Sequence, residues 1–268
     1  MESTIEYITA GIIISLILGL TIHFSSNMVD VKVNAIEQKT GFEIAGNVID
    51  TLLLSPGKPN NWGGSPELPS SMGLALDNAV KLYQLDPLKV RRLSNESSGY
   101  IPPYLVRDLL GLSACYYTSI RIMPIYTITI SNITEEIFSI SVTNQWGTPV
   151  PNANITAAYT NLEEMSMNEV ISFLKGDLED AIYAYNRTSS SGECVLNFSG
   201  AGSRDMLIVL ADQLNIKSFA TWPVQSDAVI TNIQSSMGTP SSFPVEVASR
   251  NVEIDSFNYV VILTIWWS

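Results

Sequence analysis

FSISVTNQWGTPVPNANITAAY, residues Phe138–Tyr159, decides the fold class of most of this chain. Apolar and polar residues alternate from Phe138 to Val142, which is the period of a half-buried β-strand. Gly147 and Pro149 then provide the chemistry of a turn, and a second strand-like stretch follows. The segment therefore predicts two consecutive antiparallel strands.

Further strand-like segments lie on both sides of this pair, and each is short and rich in β-branched or aromatic residues. They are Tyr116–Ile130 with Pro124 at an edge or a bend, Cys194–Gly200, Met206–Asp212 and the strongly apolar Tyr259–Trp267. Short strands with turn signals between them are typical of an antiparallel β-sandwich. We expect such a sandwich over residues 126–268.

One helix interrupts the predicted strands. Ser166 and Glu169 form a capping box, and apolar residues from Val170 to Ile182 follow at helical spacing. We predict a helical insertion at about residues 163–186 that covers the sandwich.

Residues 55–125 are expected to form a small α-rich stalk domain. A loop rich in proline and glycine occupies residues 55–73, and its Trp62 either packs the loop onto the domain or stacks on a ligand. Asp86-Pro87 predicts a short helix to Leu93, and Pro103 begins another helix that ends at Gly111.

The N-terminal part contains an apolar run, Tyr7–Phe24, with no acid or base in its eighteen positions. A run of this length just spans a bilayer as a helix. A cleaved signal peptide and a buried core helix are the alternatives, but no basic residue precedes the run. We predict a retained transmembrane helix that continues towards Leu54, so that residues 1–54 form one unit.

Composition and charge narrow the class of protein. Hydrophobic residues make up 46% of the chain and charged residues 15%, which excludes a disordered chain. The net charge of −12 opposes binding to the phosphate backbone of nucleic acid. Five N-x-[ST] sequons are candidate glycosylation sites and favour an extracellular position for the bulk of the chain: Asn95, Asn132, Asn154, Asn186 and Asn197.

The residues that usually perform catalysis are scarce. His23, the one histidine, lies at the end of the apolar run. It therefore cannot serve as the base for a nucleophile in an outer domain. Asp177, Glu179 and Asp180 are interpreted as a solvated face rather than as catalytic or metal-binding carboxylates. The pair Cys115 and Cys194 allows either one disulfide or two separate buried thiols. We therefore predict no enzyme activity, no cofactor and no metal.

The segment Ser3–Tyr7, STIEY, directly before the apolar run resembles the start of archaeal type IV pilin-like proteins with class III signal peptides. Four later blocks resemble, in the same order, segments of membrane-anchored proteins of that group: Thr51–Trp62, Met72–Leu76, Leu85–Leu93 and Tyr104–Leu112. The resemblance covers about residues 1–125. It implies a surface protein whose N-terminal helix anchors it or assembles with other subunits.

A second resemblance covers about residues 139–212. Val142–Thr156 and Ser189–Leu196 are similar to a pattern found in carboxypeptidase-regulatory-like and bacterial Ig-like surface domains. It implies an Ig-like sandwich in the C-terminal half. The complete expectation is an α+β protein with an N-terminal transmembrane helix, a small α-rich region and an Ig-like antiparallel sandwich with a helical insertion.

These features predict a single-pass membrane protein whose bulk is outside the cell, either a structural or assembly protein of the archaeal surface or a tethered adhesive or ligand-binding module. The expected partners are membrane lipid and other envelope or pilin-like subunits, self included. Glu6, at the mouth of the apolar run, either pairs with a neighbouring subunit's N-terminal amine or contacts lipid headgroups.

Overall fold

The computed structural model describes residues 44–97, 99–163, 165–200, 202–224, 230, 232–239 and 245–267. Its helices are α1 (44–54), α2 (Pro87–Arg91), α3 (Pro103–Leu109) and α4 (Met167–Lys175), with a 3-10 turn at Trp62–Gly64. Its strands are β1 (Gln84–Leu85), β2 (Tyr116–Pro124), β3 (Tyr126–Thr134), β4 (Ile137–Asn144), β5 (Asn154–Thr160), β6 (Ile182–Arg187), β7 (Glu193–Asn197), β8 (Met206–Gln213), β9 (Ile216–Trp222), β10 (Ile233–Ser236), β11 (Val245–Ile254) and β12 (Phe257–Trp267).

The strands form three sheets, and the expected Ig-like sandwich is wrong. The sheets have the orders β1-β11-β12-β2-β10, β3-β4-β7 and β6-β5-β8-β9. All pairs are antiparallel except β1 with β11. The segments predicted as strands do contain strands, but β1, β6, β9 and β10 were not predicted, and the fold is mainly β with several sheets rather than α+β with one sandwich. Consecutive strands enter different sheets between β2 and β3, just after Pro124, and again between β4 and β5.

The predicted membrane helix lies outside the described residues. From residue 44 onward, none of the described helices is both long enough and apolar enough to cross a bilayer. The run Tyr7–Phe24, with His23, and the residue Glu6 precede that part of the chain.

The four-stranded sheet buries both of its faces. Leu207 and Val209 of β8 join one apolar cluster with Phe138 and Leu196 of the three-stranded sheet. Ile208, between them on β8, joins the other cluster, which contains residues of the five-stranded sheet and of the helices. Because side chains alternate along a strand, adjacent residues of β8 belong to different cores.

Helix α1 lies along β11 of the five-stranded sheet. Arg250 of β11 donates two hydrogen bonds of 2.9 Å to the Asp50 carboxylate, and the Tyr83 hydroxyl donates a third. Nearer the start of α1, the backbone of Ala45 lies close to the Glu246 carboxylate of β11. Helix and strand therefore run in the same direction, and the buried face of α1, with Ile49 and Leu52, packs in the same core as the sheet.

The loop at residues 55–73 packs onto this core through Trp62, which confirms the packing alternative. The Trp62 side chain is fully buried, and its Nε1–H donates to the carbonyls of Pro56 and Gly73. Added bulk at Gly73 would meet the Ser55 carbonyl oxygen at 2.3 Å, so this close approach requires glycine.

Helix α4 has the predicted capping box at Ser166 and Glu169, but it is shorter than expected. It ends at Gly176, whose φ of 80° is left-handed and stops the helix. Ile182, expected at the end of the helix, instead begins β6 at the edge of the four-stranded sheet. The predicted insertion at 163–186 is therefore wrong in extent. The apolar spacing continues beyond Gly176 to Ile182 and was interpreted as helix, although Ile182 belongs to a strand.

Candidate functional site

A groove of about 560 Å³ lies where the three sheets meet. It follows the end of β2, the first half of β3 and the end of β9. Its described lining is Arg121, Met123, Pro124, Tyr126, Thr127, Ile128, Thr129, Ile130, Gln145, Phe219, Ala220, Thr221, Trp222, Val224, Ile230 and Asn232.

The chain crosses between sheets at the floor of this groove, and side chains fix the crossing. The Ile125 N–H donates to the Asn258 carbonyl of β12, and the Tyr126 N–H donates to Ser218 Oγ of β9. Asn258 Oδ1 in turn accepts the Lys217 N–H at 2.8 Å. These bonds satisfy backbone N–H groups that do not bond to a neighbouring strand of their own sheet. They hold the chain in place where it passes from one sheet to the next.

Tyr126 marks the buried side of the crossing. Its hydroxyl donates to Gln213 Oε1 at 3.3 Å, and burial raises the pKa of the phenol. Tyr126 is therefore a neutral hydrogen-bonding group at neutral pH rather than a proton acceptor.

Trp222 lines the groove. Its ring is half-buried and contacts Phe138 at 5.6 Å between centroids. Trp62 lies elsewhere and is fully buried, so it cannot stack on a ligand. One of the two tryptophans therefore has access to a ligand in the described structure.

The lining suits binding better than proton transfer. It combines apolar side chains with hydroxyl and amide groups, and Arg121 is the charged residue among those described. Strand β3 is the outer strand of its sheet, so one of its backbone edges is not paired within that sheet. The lining described has neither a carboxylate nor a thiol or histidine that could act as nucleophile or base.

The other carboxylates considered from the sequence are outside the groove. Asp177, Glu179 and Asp180 are exposed in the turn between α4 and β6. Within the described part of the chain, no group of three potential metal ligands comes together.

The two cysteines are free thiols in the structure. Cys115 is partly exposed next to β2, whereas Cys194 is buried in β7 of a different sheet. Burial raises the pKa of the Cys194 thiol to about 11, so it stays protonated and unreactive.

All five sequon asparagines are exposed: Asn95, Asn132, Asn154, Asn186 and Asn197. Four of them lie on strands of the two smaller sheets. The Thr188 hydroxyl of the fourth sequon is buried and donates to the Val150 carbonyl at 2.7 Å. Modification of Asn186 would therefore be favoured before this part of the chain has folded.

A second, smaller depression of about 350 Å³ lies near the end of α1. It includes Leu54, Val80 and Leu82, whose side chains are exposed. The sequence did not indicate this depression, because the spacing of these residues does not match one face of a helix or of a strand.

The sequence also did not indicate Arg121, Met123 or Gln145 as site residues. Arg121 is an exposed residue in a predicted strand, and such a residue has no local signal that distinguishes it. It lies about a hundred positions from Trp222, and only the pairing of the sheets brings them to one groove.

Comparison of the chain with protein-family models, with curated proteins and with solved structures finds no match.

Proposed function

We propose that the chain is a membrane-anchored extracellular protein of the archaeal cell surface, pilin-like, with a structural or assembly role. The observation that carries this proposal is the uninterrupted apolar run Tyr7–Phe24, followed by a folded region built mainly from sheets. The resemblance of residues 1–125 to pilin-like proteins also supports it.

The exposure of every sequon asparagine supports an extracellular position for the folded region. Attached glycans need an accessible side chain, and all five described asparagines provide one. Mass spectrometry of the native protein is expected to detect glycan on one or more of them.

The anchor is tested by placing charge in the run. Ile14→Arg with Leu18→Arg should move the protein from the membrane fraction to the soluble or secreted fraction, because each arginine at the centre of a span costs about 2.5–3.5 kcal/mol. Ile14→Val with Leu18→Ile is the matched control and should stay in the membrane. Equal partition of both variants would contradict an anchor, and protection of the folded region from protease on intact cells would contradict its orientation.

Substitutions of Glu6 test whether the protein assembles into a filament or is only anchored in the membrane. In an assembled filament its carboxylate pairs with a neighbour's N-terminal amine, so Glu6→Gln should remove the protein from the filament fraction without lowering its amount in the membrane. Glu6→Asp keeps the charge and is the control. Unchanged filament content in Glu6→Gln would assign Glu6 to headgroup contact.

The groove favours a second candidate function, a membrane-tethered ligand-binding module. Trp222 offers a partly exposed ring, and Arg121 offers a positive charge at the same groove. Such a site suits an extended ligand that carries a negative group. In a screen of acidic and neutral glycans and peptides, Trp222→Ala and Arg121→Ala should each weaken binding by about tenfold or more. Trp146→Ala, an exposed tryptophan outside the groove, should not.

A further inference from the structure

Four aromatic residues meet at one end of the five-stranded sheet, where β2 begins and β12 ends. Trp266 is opposite Tyr117 and Trp267 is opposite Tyr116 in the ladder. The ring centroids of these pairs are 6.0 Å and 4.7 Å apart. We call these four residues the aromatic end.

The aromatic end is only partly covered. The side chain of Trp266 is 2% exposed and packs into the molecule, but that of Trp267 is 48% exposed. Both tyrosines are half-buried. An indole with an accessible polar N–H on an apolar ring is the side chain most enriched where a protein meets the headgroup region of a membrane.

Helix α1, the first described element after the apolar run in the chain, begins at this same end. The Ala45 backbone near the start of α1 lies close to the Glu246 carboxylate, and Ala45 shares a core with Ile265. Glu246 is opposite Ile265, next to Trp266 in the strand. Because α1 runs from this end towards Arg250, its first described residue, Ile44, lies at the end of the sheet where the aromatic residues are.

The connection to the apolar run is long enough for contact with the bilayer. Residues 25–43 separate Phe24 from α1 and can reach up to about 60 Å. With this reach, either end of the five-stranded sheet could face the membrane surface. A specific contact with the lipid must therefore decide which end does. The aromatic end is nearest to the tether and has the chemistry of an interface anchor.

We propose that the aromatic end, through Trp267 above all, rests in the headgroup region of the membrane that holds the N-terminal run. This inference rests on the proposed membrane anchoring and specifies the orientation of the folded region. It assigns to Trp267 and Tyr116 a contact with a lipid surface, and it places the depression near Leu54, Val80 and Leu82, at the other end of α1, away from that surface.

Quenching of tryptophan fluorescence by brominated lipid tests this orientation. The full chain is reconstituted in phosphatidylcholine vesicles whose acyl chains carry bromine either near the headgroup or near the chain end. Trp267 should be quenched by the shallow bromine, so Trp267→Phe should remove about half or more of the shallow quenching. Trp146→Phe, which removes a tryptophan that is 79% exposed in the turn after β4, should leave the quenching unchanged.

The outcomes separate this inference from the proposed function. If the protein binds vesicles but Trp267→Phe leaves shallow quenching unchanged, the orientation is wrong although the anchoring stands. If the full chain does not stay with the vesicles at all, the proposed anchoring fails. If Trp267 is shielded from both the lipid and aqueous acrylamide in a concentration-dependent way, a second copy covers the aromatic end, and the lipid contact is overturned.

Discussion

Arg92 shows how one residue organises a loop that has no regular structure. Its guanidinium is buried: Nε donates to the Gly99 carbonyl, and the two hydrogens of Nη1 are shared among the carbonyls of Trp62, Ser65 and Glu67. It also lies 5.3 Å from the centroid of the Trp62 ring. Burial lowers the pKa of Arg92 from its usual value, but a guanidinium remains charged at neutral pH. The guanidinium therefore holds two segments of loop together, residues 62–67 and Gly99.

Arg92→Lys is expected to destabilise the protein despite keeping the charge. A lysine ammonium is a single donor atom and cannot reach both the Gly99 carbonyl, which accepts from Nε, and the carbonyls around Nη1, so a buried acceptor would be left unpaired. We expect the free energy of unfolding to fall by about 2–4 kcal/mol, measured by urea denaturation in detergent. Arg107→Lys is the control, since Arg107 pairs with its exposed neighbour Asp108. Equal stability of the two variants would show that the fork is not needed.

Between elements, one ion pair joins α1 to β11 in addition to their shared core. The Arg250 guanidinium, and the Tyr83 hydroxyl with it, hold the pKa of Asp50 below its usual value. This pair joins residues that are far apart in the chain but adjacent in the fold. Because both side chains are about a third exposed, solvent weakens the pair relative to a buried one.

Asp50→Asn should therefore lower the free energy of unfolding by about 1 kcal/mol at neutral pH. Because the folded-state pKa of Asp50 is lowered, its contribution is complete above the unfolded pKa and is lost as the pH falls through the folded pKa. The difference between wild type and variant should then shrink towards zero in acid. Denaturation at several pH values measures it, with Asp108→Asn as a surface control. A difference that persists in acid would exclude the ion pair as its cause.

On the scale of the whole molecule, the four-stranded sheet connects two apolar cores. Leu207 contributes to one core and Ile208 to the other, and both side chains are fully buried. A sheet that is buried on both faces can couple the two cores, since unfolding either one exposes an apolar face of the same strands.

Leu207→Ala and Ile208→Ala should each lower the free energy of unfolding by about 2–5 kcal/mol. Both should shift one common transition, seen at the same denaturant concentration by circular dichroism and by tryptophan fluorescence. Leu214→Ala, in an exposed turn, should have little effect. Two separated transitions in either core variant would show that the cores unfold independently.

The amino-acid sequence located about half of the described strands, including β2 and most of β3 within the predicted segment Tyr116–Ile130. Alternation and turn residues located β4, β5, β7, β8 and β12, and Pro124 was correctly placed at a bend. The capping box located the start of α4. Each of these signals acts over a few residues, because the period of a strand and the hydrogen bonds of a cap are local.

Only the tertiary structure decided which strands pair and therefore where the groove is. Strand β2 pairs with β12, and consecutive strands β2 and β3 enter different sheets. An alternating pattern shows that one face of a strand is apolar but does not identify the face that will cover it. That choice depends on the free energy of burying all the faces together, so the meeting of Arg121 with Trp222 and of Tyr116 with Trp267 could not be read from local sequence.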